Sequence, residues 1–271
     1  MNVLETSNLK IWDTRNNEVI VNNLSFAVEE HKCTAIVGES GSGKSMTVKA
    51  INGIHKPWIR CEGNVLFEGQ NLLEQSSKNM KEIRGKKIFM IFQDGMSAFD
   101  PSCTIHSSFR EILSENMCST KEEEDRLILQ SMDKVKLKNP KEILDKYPHQ
   151  LSGGMLQRIM IALSLALEPK IIIADEPTTS LDTISQFEIV NEFMRLKKEY
   201  GTTMIFISHD LGVVRKLADF IIVMKDGEKV EEGPVEEVFC HPQNSYTQYL
   251  VNTRKALGEN YKKLIKVCQN A

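Results

Sequence analysis

Long apolar runs are missing from this 271-residue chain. The longest, such as Ile159 to Leu167, fall well short of the ~20 residues with which a helix spans a bilayer. No membrane-crossing helix is therefore expected. The opening stretch MNVLETSNLK puts no basic segment ahead of an apolar one, so no secretory leader is expected either. Basic charge is not in excess: Lys and Arg number 34 against 37 Asp and Glu, with a net charge of −3. A nucleic-acid partner is disfavoured, because such proteins carry a basic excess or stripe, and an anionic ligand would need a local site. Cys33, Cys61, Cys103, Cys118, Cys240 and Cys268 are scattered without a C-x-x-C, which suits reduced thiols in the cytoplasm. The six histidines, His31, His55, His106, His149, His209 and His241, form no evident ligand pair. Internal repeats and low-complexity tracts are also lacking.

What is present is a chain that is 41% hydrophobic, enough for a sizeable core. Strand patterns lie at Val19 to Phe26, Thr34 to Val37, Val65 to Phe67 and Ile88 to Phe92. A helix is expected from about Lys44 to Asn52. The character changes between Asp94 and Gln150. There, Ile105 to Asn116 and Lys121 to Val135 read as helices, the second opened by a capping box of Thr120 and Glu123. Strand and helix then alternate: Ile171 to Ala174, Thr183 to Tyr200 (stopped by Gly201), Thr203 to Ser208 and Phe220 to Met224. Asp226-Gly227 reads as a tight turn into Lys229 to Glu231, and Pro234 as the first turn of a further helix. Such alternation predicts an α/β fold whose mostly parallel sheet is covered by helices.

Two local patterns carry chemistry. Gly38-Glu39-Ser40-Gly41-Ser42-Gly43-Lys44-Ser45 fits G-x-x-x-x-G-K-[ST] between a strand and a helix. Glycines there let backbone N–H groups wrap a polyphosphate, and the helix N-terminus adds a favourable dipole. Lys44 can reach the β- and γ-phosphates, and Ser45, followed by Met46, can ligate Mg²⁺. Farther on, the run Ile171-Ile172-Ile173-Ala174-Asp175-Glu176 ends a strand in two carboxylates. Strand C-termini line the ligand crevice of open α/β sheets. Asp175 is expected to hold Mg²⁺, and Glu176 to act as general base on a water.

Leu151-Ser152-Gly153-Gly154-Met155-Leu156-Gln157-Arg158 precedes an apolar helix. LSGG-x-x-QR, placed between a phosphate loop and an IIIADEP strand, resembles the ABC ATPase family over nearly the whole chain. The resemblance implies a P-loop ATPase core with a mostly parallel sheet, an N-terminal antiparallel β subdomain and a helical insert at about 94–156. It implies an ATP-binding domain over 1–250 and a C-terminal tail over 251–271. It also implies two such domains paired head to tail, with Ser152, Gly153 and Gly154 of one facing the ATP held by the other. Gln93 resembles the Q-loop glutamine that senses Mg²⁺ and water. His209 resembles the switch histidine at the γ-phosphate, and Ser180-Leu181-Asp182 resembles the D-loop at the dimer interface. Trp12 lies near the position of the family's adenine-stacking aromatic, with core packing as the alternative.

Phe92 to Pro101, Asp175 to Asp182 and the F-x-x-P-x-x-x-Y-T-x-x-L spacing of Val238 to Leu250 resemble importers of the oligopeptide, dipeptide and nickel class. Ser97 to His106 and Gly154 to Arg158 look most like the nickel-import D-type subunits. Only Cys240 and Cys268 stand where peptide-import members carry a cysteine-rich segment for an iron–sulfur cluster. The expectation is an ATPase using ATP and Mg²⁺ to power import of nickel, cobalt or a metal chelate, with a peptide importer as the alternative. Expected partners are a second, sister ATP-binding subunit and two permease subunits, with a substrate-binding protein acting indirectly outside the cell. The chain would sit peripherally on the cytoplasmic face of the membrane, held there by the permease alone. A soluble ABC-type ATPase of DNA repair or translation is the rival class. Such proteins typically have a long coiled-coil insertion or two cassettes, and this chain has neither.

Overall fold

The computed structural model of the protein describes residues 1–117, 120–179 and 181–254. Two sheets organise it. Strands β1 (Asn2–Asp13), β2 (Glu18–Glu29), β4 (Ile59–Phe67) and β5 (Gln70–Asn71) form an antiparallel sheet in the order β2-β1-β4-β5. Strands β3 (Cys33–Val37), β6 (Ile88–Ile91), β7 (Ile171–Asp175), β8 (Thr203–Ile207), β9 (Phe220–Lys225) and β10 (Glu228–Pro234) form the second, ordered β10-β9-β3-β8-β7-β6. All of its pairings are parallel except β9 with β10. That hairpin turns at Asp226 and Gly227, with φ of 49° and 82°. Positive φ at both central residues is the twist-matched two-residue turn that Asp-Gly favours.

The continuous apolar strands follow from burial on both faces, as parallel sheets require. Side chains alternate across a strand. Ile171 and Ile173, with Ile205, Ile207 and Ile222, face the core shared with the antiparallel sheet and helix α1 (Lys44–Ile51). Ile172, Ala174, Met204 and Phe206 face the opposite core. Full burial of one such side chain contributes roughly 1.5–3 kcal/mol. Between the sheets' strands run helix α2 (Ser77–Ile83) and then, after β6, α3 (Ile105–Asn116), α4 (Lys121–Lys134) and α5 (Pro140–Leu144). These last three pack Phe109, Leu113, Ile128 and Ile143 toward α6 (Gly153–Leu167). The capping box of Thr120 and Glu123 is formed in full at α4. Helices α7 (Thr183–Tyr200), α8 (Leu211–Leu217) and α9 (Val235–Cys240) complete the core, and residues 245–254 are helical. Gly201 closes α7 in the left-handed conformation, as expected of a C-terminal glycine.

Several elements depart from the sequence expectation. β1 was not anticipated, and β4 is longer than the Val65 to Phe67 segment. Asn8 sits at φ 53° and the pairing of β1 with β2 shifts register between Thr6 and Leu9. Such bulges break the period-2 alternation by which a strand is recognised. Pro234 caps α9 from the residue before it rather than lying in its first turn. Helices α2, α5, α8 and α9 are too short for a 3.6-residue period to stand out. Of the scattered cysteines, Cys33, Cys61, Cys103 and Cys240 are free thiols; Cys118 and Cys268 lie outside the described residues.

Candidate functional site

β3 and β8 are neighbours; within this sheet the chain passes from β3 to β6 at one edge and from β8 to β9 on the other side, so the C-terminal ends of this pair form the switch point where ligand crevices lie. The loop 38–43 emerges there. Gly43 has φ 94°, and a Cβ on it would stand 2.8 Å from Val21 Cγ2 and 2.9 Å from the Ile20 carbonyl. Only glycine fits. Gly43 also supplies no side-chain cap to α1, so the first N–H groups of that helix stay available to an anion.

Lys44 is 4% exposed. Its Nζ donates to the carbonyls of Gly38 at 2.9 Å and Glu39 at 2.7 Å. Burial pushes its pKa down, opposed by the carboxylates of Glu176, Asp175 and Glu39. Ser45 Oγ donates to Asp175 Oδ1 at 2.7 Å. Asp175 is 5% exposed. Burial raises its pKa and the Glu176 charge adds to this, while the Ser45 bond, Lys49 and Lys44 oppose it. Met46 packs partly buried against the core under the antiparallel sheet.

β7 and β8 pair in parallel with Asp175 opposite Ile207, so the residues just past each strand meet. Glu176 adopts φ 47°, uncommon for a residue with a side chain and found where surrounding structure enforces it. Its N–H donates to the Ile207 carbonyl at 3.1 Å. Its Oε2 accepts from Thr179 Oγ1 at 3.0 Å and lies 3.3 Å from His209 Nδ1. The fold thus brings Lys44, Ser45, Asp175, Glu176 and His209 together from three strand ends.

The other expected residues are placed differently. The Gln93 side chain is exposed beyond β6. Its backbone is pinned from below: Gln157 Nε2 donates to the carbonyls of Phe92 at 2.9 Å and Gln93 at 3.1 Å. Ser152 caps α6, accepting from the Met155 N–H at 3.3 Å, and is exposed together with Gly153. Asp182 caps α7, accepting from the N–H groups of Ile184 and Ser185 and from Ser185 Oγ. Those bonds hold its carboxyl below the usual range. Ser180 lies outside the described residues. Trp12 is half-buried on β1 opposite Val19. Ile20 and Val21, next along β2, abut Gly43, so this end of the sheet lies beside the phosphate loop.

Sequence reasoning overlooked the roles of Gln157, Thr179 and Tyr246, whose hydroxyl accepts from the Glu39 N–H at 3.0 Å. Gln157 was legible as the glutamine of LSGG-x-x-QR, but its bond to the backbone after β6 was not.

Comparison with known proteins follows the same lines. The family model described as ABC transporter matches residues 21–179. The chain is 42% identical over 266 residues to the metal-staphylopine import system ATP-binding protein CntD of Staphylococcus aureus (strain NCTC 8325 / PS 47), covering 98% of each. It is 40% identical over 269 residues to the dipeptide transport ATP-binding protein DppD of Lactococcus lactis subsp. cremoris (strain MG1363), covering 98% of this chain and 77% of that one. Its fold matches the dimeric post-hydrolysis structure of the ATP-binding cassette MJ0796 bound to ADP and Pi, with TM-score 0.75 and 29% identity, over 86% of this chain and 98% of that one.

Proposed function

The chain belongs to the ABC transporter family as an ATP-binding, ATP-hydrolysing subunit of an importer, and from that premise we propose that it powers import of a metal–chelate complex. The observation that supports this cargo most is the 42% identity over 266 residues to the metal-staphylopine relative. A peptide cargo is the second reading, since relatives of that class stand at 39–40% identity.

In the proposed chemistry, ATP lies with its phosphates on loop 38–43 and the N-terminus of α1, where Lys44 leaves the Gly38 and Glu39 carbonyls to meet the β- and γ-phosphates. Ser45 Oγ and the Asp175 carboxylate, 2.7 Å apart, are hard oxygen donors suited to Mg²⁺. Mg²⁺ bound there would neutralise charge on the phosphates. Glu176 takes the proton of the attacking water. Its Oε2 accepts from Thr179 Oγ1 with His209 Nδ1 3.3 Å away, so the carboxylate is oriented before the water arrives. His209, with its side chain 64% exposed, can also reach the γ-phosphate, and Gln93 can orient the water. Trp12 offers the adenine a stacking face.

Ser152, Gly153, Gly154 and Asp182 serve the site of a second cassette, a sister chain in our reading. One permease subunit docks at the apolar cavity of about 260 Å³ beside β6, lined by Met90, Phe92, Phe99, Ile112, Met160 and Leu163, and the second permease subunit meets the sister chain. Among the described residues no helix is long and apolar enough to cross a membrane. Attachment to the cytoplasmic face through the permease accords with that. The test of cargo is uptake by cells that depend on this chain, with Lys44→Ala as the inactive control. Chelated radioactive nickel or cobalt should accumulate in an Lys44-dependent manner. Accumulation of labelled dipeptide instead would replace the metal reading with the peptide one.

A further inference from the structure

We propose that Tyr246 is a positioning residue for the phosphate loop, acting through the peptide that joins Gly38 to Glu39. The proposal rests on the reading of Gly38 to Ser45 as the ATP cradle. That peptide is gripped on both edges. Its N–H, on Glu39, donates to Tyr246 Oη at 3.0 Å. Its carbonyl, on Gly38, accepts from Lys44 Nζ at 2.9 Å. A Cβ on Gly38 would stand 2.1 Å from the Met224 carbonyl, so the same stretch is wedged against β9.

The tyrosine is itself held firmly. It is 8% exposed and belongs to the main core. Its N–H donates to Asn244 Oδ1 at 2.9 Å. The Glu231 carboxylate on β10 accepts from the N–H groups of Gln243 at 2.8 Å and Asn244 at 3.0 Å. Lys225 Nζ stands 5.2 Å from the ring centroid. At the far end of the same helical stretch, Arg254 lies 3.4 Å from Asp210, the residue after His209. Residues 245–254 therefore brace both the phosphate loop and the segment that carries His209.

The consequence appears when ATP binds. Lys44 must turn toward the phosphates, which loosens its hold on the Gly38 carbonyl. The Tyr246 hydroxyl then remains as the side-chain anchor of that peptide. Without it the loop must be ordered at the moment of binding, and affinity drops by the cost of that ordering. One hydrogen bond of this kind corresponds to about 2- to 10-fold in affinity. The chemistry at Glu176 and His209 is untouched, so kcat should hold.

Tyr246→Phe removes the hydroxyl and keeps the ring; Tyr246→Leu removes both. ATP titration of the full chain, hydrolysis by the assembled importer and thermal melting are measured for each, with Lys44→Ala alongside. The expected result for Tyr246→Phe is a Kd and KM for ATP raised about 2- to 10-fold, with kcat and melting temperature near wild type. Tyr246→Leu should in addition lose stability. Wild-type ATP affinity in Tyr246→Phe, or a lowered melting temperature with unchanged KM, would make the tyrosine a packing residue only and overturn the proposal. Wild-type affinity in Lys44→Ala would instead overturn the cradle assignment, and this proposal with it.

Discussion

At the phosphate loop, Lys44 is bonded to two loop carbonyls, Ser45 reaches Asp175, and Glu176 is held by Thr179 with His209 close by. At the signature helix α6, Ser152 caps its own helix and stands exposed with Gly153. Beside it, Gly154 packs close to Ser185 at the start of α7, where Ile184 and Phe187 are 73% and 60% exposed. The first region satisfies its polar groups from within the chain. The second presents an exposed, self-capped helix N-terminus beside large apolar side chains of α7, the surface composition of an interaction site. On the proposed reading, one chain would hold the parts that cleave ATP and, on a separate face, the parts that cover the ATP of a second cassette. The two faces are also linked internally. Gln157 of α6 holds the backbone of Gln93, and Arg158 pairs with Glu188 of α7.

The sharpest way to break this contrast is at Glu176. In Glu176→Gln, hydrolysis should fall about 10²–10⁴-fold, the usual contribution of a general base. MgATP should still bind, because the loop, Ser45 and Asp175 remain. Phosphate release measured beside equilibrium binding checks both halves. Near-normal turnover would transfer the water-activating role to Gln93 and His209.

A smaller effect sharpens the electrostatics of the same face. The Asp175 carboxyl is raised chiefly by burial. The native chain then holds a proton that the unfolded chain has released, between the ordinary carboxylate range and the raised pKa. By linkage, this group stabilises the nucleotide-free chain as pH falls through that window and ceases to do so as pH rises. Mg²⁺ needs the ionised form, so MgATP affinity should weaken on acidification earlier than an ordinary carboxylate would cause. Calorimetric titrations from neutral pH down toward the ordinary carboxylate range should show that slope in wild type and a flatter one in Asp175→Asn. Equal slopes in the two would remove Asp175 from the metal site.

The phosphate-loop face was legible because its chemistry is local: Gly38 to Ser45 is contiguous, and Asp175-Glu176 follows an unbroken apolar strand. The parallel strands were legible because burial on both faces leaves no polar interruption. β1 was hidden by its bulge at Asn8 and its register shifts. The bracing contacts were hidden for another reason. Tyr246 lies 207 residues from Glu39, and Gln157 lies 64 from Gln93. No pattern of spacing reveals a partner at such a distance, and only the folded chain brings the hydroxyl or the amide to a backbone group. The signature residues were legible as a motif, and the resemblance had already placed Ser152, Gly153 and Gly154 opposite another cassette's ATP; Ser152 and Gly153 are exposed.

The central claim, that cleavage needs the open face of a second cassette, is tested most directly by specific ATPase activity against the concentration of that cassette. This chain is titrated first with its own copies and then with the sister ATPase subunit, while sedimentation reports association. Activity per chain should be negligible where the chain is monomeric, should rise with the second cassette and should saturate as the pair forms. Constant activity per chain down to dilutions at which it sediments as a monomer would contradict the account.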